Sequence, residues 1–98
     1  MEVAWTRRSI YRLEQILEHI AKDQPDDAMR FINRLVERGE SVGQQFRRGR
    51  VVPEYQDDTI REIFEGDYRI IYKILPERID ILTVRHCSQL LPVEVLNL

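Results

Sequence analysis

The sequence predicts an α+β fold: an N-terminal strand, an antiparallel helical hairpin, then a three-stranded antiparallel β-meander. Three observations carry that expectation. Apolar residues recur at three- and four-residue spacing through the first half. The second half divides into three short runs rich in β-branched and aromatic residues. Turn-forming segments, Glu65-Gly66-Asp67 and Pro76-Glu77-Arg78, separate those runs. The 98 residues suit a single domain over 1–98 with one modest core.

A short opening strand is expected over Glu2 to Trp5, with Thr6 as the N-cap of the first helix. That helix shows an apolar stripe in Ile10, Leu13, Ile16, Leu17, Ile20 and Ala21, while Glu14, Gln15, Glu18 and Lys22 fall outside it. Asp23-Gln24-Pro25-Asp26-Asp27 then interrupts the chain. It combines a capping residue, a proline tolerated in a first turn, and acids favoured at a helix N-terminus. A second stripe follows in Ala28, Phe31, Ile32, Leu35, Val36, Val42 and Phe46, with Gly49 as the expected stop. Gly39 lies on this face and suggests close approach of the first helix. So short a connection makes the pair an antiparallel hairpin.

Val51 to Asp58 reads as an irregular connection. Strands are expected over Thr59–Glu65, Asp67–Leu75 and Ile79–Arg85, joined through Gly66 and through Pro76-Glu77-Arg78. Alternation along the last two strands leaves both faces partly apolar, with Tyr68, Ile70, Tyr72 and Ile74 opposite Arg69, Ile71, Lys73 and Leu75. One helical hairpin covers only one face, so the second face and the apolar tail Leu90–Leu98 point to a protein partner. The competing reading folds the tail back over that face. Trp5, Phe31, Phe46 and Phe64 are assigned to the core.

Composition narrows the function. Fifteen cations against seventeen acids give a net charge of −2, and neither half is basic, which argues against broad electrostatic binding of nucleic acid. Thirteen of the cations are arginine, which leaves room for a local carboxylate- or phosphate-binding pocket. The single cysteine, Cys87, excludes an internal disulfide framework. With only His19 and His86, placed far apart in sequence, a metal site has little support. No glycine loop cradles phosphate, and no cofactor is expected. No apolar run reaches the ~20 residues of a membrane span and the N-terminus is unlike a signal peptide, so a cytoplasmic protein is expected.

Gly66-x-Tyr68-Arg69-x-x-Tyr72, preceded by Ile60-Arg61-Glu62-Ile63 and followed by Ile81-Leu82-Thr83-Val84-Arg85-His86, resembles the RelE/ParE superfamily of type II toxin–antitoxin toxins. The resemblance covers nearly the whole chain. It implies a cognate antitoxin as partner in a hetero-oligomer, with DNA gyrase or the ribosome as target. On the nuclease side of the family, cleavage is metal-free and needs a base, phosphate-binding cations and an acid. The positions that match are Glu54, Arg69, Arg85 and His86. Nuclease members usually carry a tyrosine or histidine just beyond this strand, where the chain reads Cys87-Ser88-Gln89-Leu90. That departure, the acidic balance and a helical hairpin read as long and uninterrupted favour the ParE-like, plasmid-stabilisation type, a gyrase inhibitor. The rivals are a ribosome-dependent mRNA endonuclease and a non-toxic binding module.

Each of these residues also has a plain structural role open to it. Arg69 can pair with Glu62, Glu54 can be a solvated loop acid, and His86 a surface histidine. Antitoxin contact is expected at Arg61, Tyr68, Tyr72, Leu90, Leu91 and Val93, with apolar anchors supplying most of the energy and arginines fixing register.

Overall fold

The computed structural model describes residues 1–92. Strand β1 (Glu2–Trp5) leads into α1 (Arg7–Asp23) and α2 (Pro25–Glu40); β2 (Arg50–Val51), β3 (Ile60–Glu65), β4 (Tyr68–Ile74) and β5 (Arg78–His86) follow. The sheet order is β1-β5-β4-β3-β2. The expected meander is therefore its centre, widened to five strands. β1 adds in parallel along β5, and β2 adds antiparallel along β3.

Thr6 caps α1 by accepting the Ser9 N–H at 3.1 Å, while its own hydroxyl donates to the Leu82 carbonyl at 3.0 Å. One residue thus starts the helix and ties it to β5. Pro25 sits in the first turn of α2, with Asp26 and Asp27 beside it. The second helix ends at Glu40 rather than near Gly49, and Val42 enters the core from a short 3₁₀ turn, Ser41–Gly43. Gly39 serves a different neighbour from the one expected: a Cβ there would lie 2.6 Å from the Trp5 ring. Gly66 closes the β3–β4 hairpin at φ +56°, a conformation that disfavours side chains.

The helices cover one face of the sheet. Ile16, Ile32 and Leu35 meet Ile63, Ile70, Tyr72, Ile79, Ile81 and Val84 there. Ile10 falls outside this core and is 47% exposed. A β-bulge interrupts the pairing of β4 with β5 at Ile71/Tyr72, where Thr83 and then Ile81 are the partners and Leu82 is skipped. Strict alternation would separate Val84 from Ile79 and Ile81. The bulge shifts the parity, so all three reach the helix face while Leu82 turns to the other.

The second face is not left open. Val52, Ile60, Ile71, Leu82 and Leu91 form a small cluster on it, with Tyr55 packed alongside. The connection before β3 and the start of the tail supply its cover, as in the fold-back reading. Phe64 is not core: it lies 38% exposed with the Arg50 guanidinium 5.2 Å from its ring centroid. Val93 and the rest of the expected tail lie outside the described residues. Among the described residues no helix is long and apolar enough to cross a membrane.

Candidate functional site

The pairing of β3, β4 and β5 lines up Phe64, Arg69 and Arg85 across the second face, and places Glu62 one row away beside Ile71. Arg69 is buried among them. Its Nε donates to Glu62 Oε1 at 2.6 Å, and Nη1 and Nη2 donate to the two oxygens of Glu54 at 2.8 and 2.9 Å. The pairing with Glu54 is a bidentate fork. Glu62, whose carboxylate is fully buried, also accepts from Arg50 Nε at 2.6 Å. Glu54 Oε2 takes a further hydrogen bond from the Leu91 backbone N–H at 3.1 Å. The network runs Arg50–Glu62–Arg69–Glu54 and ends on the tail. Tyr55 extends the attachment by donating its hydroxyl to the Pro92 carbonyl at 2.6 Å.

Its electrostatics follow from these contacts. The Arg69 hydrogen bonds hold the Glu54 carboxyl down at about 2 against a burial effect that acts the other way. Glu54 is therefore not the solvated loop acid of the plain reading, and a carboxylate held so low is a poor proton acceptor at neutral pH. Arg69 is held above its ordinary value, first by the Glu54 hydrogen bond. Arg85 goes the other way: burial lowers it, with Arg12 and Arg8 adding to the effect, and its Nε is buried without a hydrogen-bond partner among the described residues.

Of the four residues named for nuclease chemistry, Glu54, Arg69 and Arg85 share the second face and His86 does not join them. Arg85 stands across from Arg69 in register, but His86 stands across from Tyr68, whose side chain lies on the helix face. The His86 ring meets Tyr68 edge-on at 5.3 Å and bonds Ser88 through Nδ1. Cys87 is exposed.

The residues named for partner contact also separate. Tyr72 is fully buried, donating its hydroxyl to the Phe46 carbonyl at 2.7 Å and accepting from the Gly49 N–H at 3.0 Å. It joins β4 to the segment after α2, and no partner can reach it in this fold. Arg61 reaches Asp58 at 2.6 Å and the Gly49 carbonyl at 3.0 Å, so it fastens the β2–β3 connection. Leu91 is buried under the second face, Tyr68 is half-buried, and Leu90 is 81% exposed.

Sequence reasoning missed Arg50, which no motif distinguishes from the other arginines. It also kept His19 and His86 apart, whereas the fold brings both to one cleft between α1 and the sheet. Arg12, Gln15 and His19 at i, i+3 and i+7 mark one helical face, and that spacing was the available signal. Among the described residues, no group of three or more His, Cys, Asp or Glu is placed to hold a metal.

The family described as ParE toxin of type II toxin-antitoxin system, parDE, matches residues 3–91, from β1 to the docked Leu91. The chain belongs to this ParE toxin family. It is 35% identical over 92 residues to the candidate toxin Y4kP of Sinorhizobium fredii (strain NBRC 101917 / NGR234), an alignment covering 92% of each chain. The fold resembles a chain of the chromosomal ParDE toxin–antitoxin system from P. aeruginosa, with a TM-score of 0.75 at 20% identity over 88% of this chain and 95% of that one. It also resembles a chain of the RelBE2 toxin–antitoxin complex from Mycobacterium tuberculosis, with a TM-score of 0.64 at 21% identity, covering 87% and 95%. The expected α+β toxin fold is the observed one. As a member of the family, the chain is a toxin of a type II toxin–antitoxin system.

Proposed function

We propose that this ParE-family toxin acts by inhibiting DNA gyrase in the cytoplasm, as a single domain, and is neutralised by a cognate antitoxin in a hetero-oligomeric complex. The observation that carries the choice of target is the occupancy of Arg69. A nuclease arginine must be free to meet a scissile phosphate, whereas this one spends its donors on Glu54 and Glu62. Releasing it would leave Glu62 buried with one fewer counter-charge, a large cost. The separation of His86 from Arg69 and Glu54 supports the same reading.

The test pairs two assays on the purified toxin: supercoiling by purified gyrase, and mRNA cleavage in a translating extract. Inhibition of supercoiling with intact mRNA is the expected result. Rapid mRNA cleavage with normal supercoiling overturns the reading in favour of a nuclease. Neither inhibition of supercoiling nor cleavage of mRNA, with harmless expression in cells, makes the protein a binding module instead.

The antitoxin half of the proposal rests on the complexes formed by the structural relatives and on exposed Leu90 beside the docked Leu91. Co-expression with the neighbouring small protein should give a complex on size exclusion, weakened by Leu90→Ser. Separate elution of the two wild-type proteins overturns it.

A further inference from the structure

The cleft that gathers the two histidines lies on the helix side of the sheet, opposite the Arg69 network, and encloses about 380 Å³. That volume is within the ordinary range for a small-molecule site. Its floor is apolar, made by Ile16, Val84 and the ring of Tyr68. Tyr68 is itself backed by Phe31 at 5.6 Å and edged by His86 at 5.3 Å, which hold its ring in place. The rim carries Arg12, His19 and His86, and among the described residues no carboxylate lines the cleft.

The hydrogen bonds on that rim leave donors unused. The Ser88 backbone N–H donates to His86 Nδ1 at 3.1 Å, so Nδ1 is the acceptor and the ring proton of neutral His86 belongs on Nε2. Arg12 uses one Nη1 bond, at 3.1 Å, on Gln15, and no carboxylate among the described residues pairs with it. Arg8 lies beside Arg12 on the α1 surface and has no carboxylate partner among the described residues. Elsewhere in the fold Arg69, Arg50, Arg61 and Arg78 all have acids within reach. Arg38 and Arg48 also lack a carboxylate partner among the described residues, and what sets Arg12 apart is its place on the rim of an apolar cleft beside both histidines.

We propose that this cleft is a binding site for a small phosphate monoester with a planar apolar body, of the size of an aryl phosphate or a mononucleotide. The planar body lies on the Ile16–Val84–Tyr68 floor. The phosphate oxygens accept from Arg12, His86 Nε2 and His19. A phosphate fits better than a carboxylate, because three donors arrive from two different elements and a dianion offers three acceptor oxygens. The cleft shares none of its charged residues with the Glu54–Arg69 network and meets it only at Gln89, whose carbonyl accepts from Arg69 Nη1 at 3.4 Å, so phosphate binding is tested separately from the choice between gyrase and ribosome.

His19 and His86 are the only two histidines in the chain, so their imidazole NMR signals report on the cleft without assignment ambiguity. Full-length protein is titrated at constant pH and ionic strength with phenyl phosphate, inorganic phosphate and benzoate. Phenyl phosphate should shift both imidazole signals saturably and bind more tightly than inorganic phosphate or benzoate. Arg12→Gln and His86→Asn should each weaken it by roughly tenfold or more, the scale of one charge-assisted hydrogen bond. Arg48→Gln, at an exposed arginine remote from the cleft, should leave it unchanged. If phenyl phosphate moves neither signal at millimolar concentration, the site does not exist. Equal affinity for benzoate, or equal loss in Arg48→Gln, reduces it to nonspecific charge and also overturns the proposal.

Discussion

On the face of the sheet toward the helices, Leu35, Ile70, Tyr72, Ile79 and Ile81 are all fully buried and their contacts are almost wholly apolar. On the opposite face a smaller apolar cluster adjoins a chain of four charged side chains, and the cover is loop and tail rather than helix. Apolar burial is non-directional, so the first face depends on total area and on volume. A buried ion network is directional, and each member depends on its neighbours. The first face keeps the domain folded through many interchangeable contacts. The second holds loop and tail in place through a few that are not interchangeable.

The sharpest test of that contrast removes the hub of the network. Arg69→Ala should destabilise the protein by about 3–5 kcal/mol, since it leaves Glu62 buried with a single, exposed partner. Urea unfolding measures it, and replacing Glu54, Glu62 and Arg69 together by Leu, Leu and Met should restore most of the loss. A loss below about 1 kcal/mol in the single variant would place the network among ordinary surface pairs. The matching change on the other face, Leu35→Ala, should cost about 3 kcal/mol through lost burial and a residual cavity. No charged partner change should rescue it.

A smaller effect is expected where the two kinds of cover meet. Leu91→Ala should cost about 2 kcal/mol, because its side chain is nearly as buried as the strand residues it covers. It should also raise proteolytic sensitivity after His86 while leaving protection of the helices intact. Uniform loss of amide protection across both faces would mean that they do not unfold separately.

The fourth test is a pH effect. Glu54 titrates from 4.5 in the ordinary state to about 2 in the fold, so its pairing stabilises the protein above about pH 4.5. That contribution fades as pH falls toward 2. Glu54→Gln should therefore unfold at a lower urea concentration at pH 6, with a difference from wild type that shrinks in acid. A difference that is constant with pH would assign the loss to geometry rather than charge.

Several elements were legible from residue pattern alone. The capping chemistry of Thr6, the proline and acids of Pro25–Asp27, and the period-two runs around Gly66 all act within a few residues, and each is where the sequence reading puts it. Local signals also set the apolar stripes of both helices, although Ile10 and Phe64 show that an apolar residue need not be buried.

Long-range geometry decided the rest. A single bulge in the β4–β5 pairing puts Val84 on the face opposite Leu82, and no local propensity announces it. Glu54 looks like a loop acid until β4 brings Arg69 across 15 positions of chain to meet it. His19 and His86 share a cleft only because α1 packs against the sheet beside β5. Capping, turn formation and amphipathic periodicity are short-range physics and can be read in sequence order. Ion pairing, strand register and cleft formation depend on residues that only the folded chain brings together, so the tertiary structure alone determined the site.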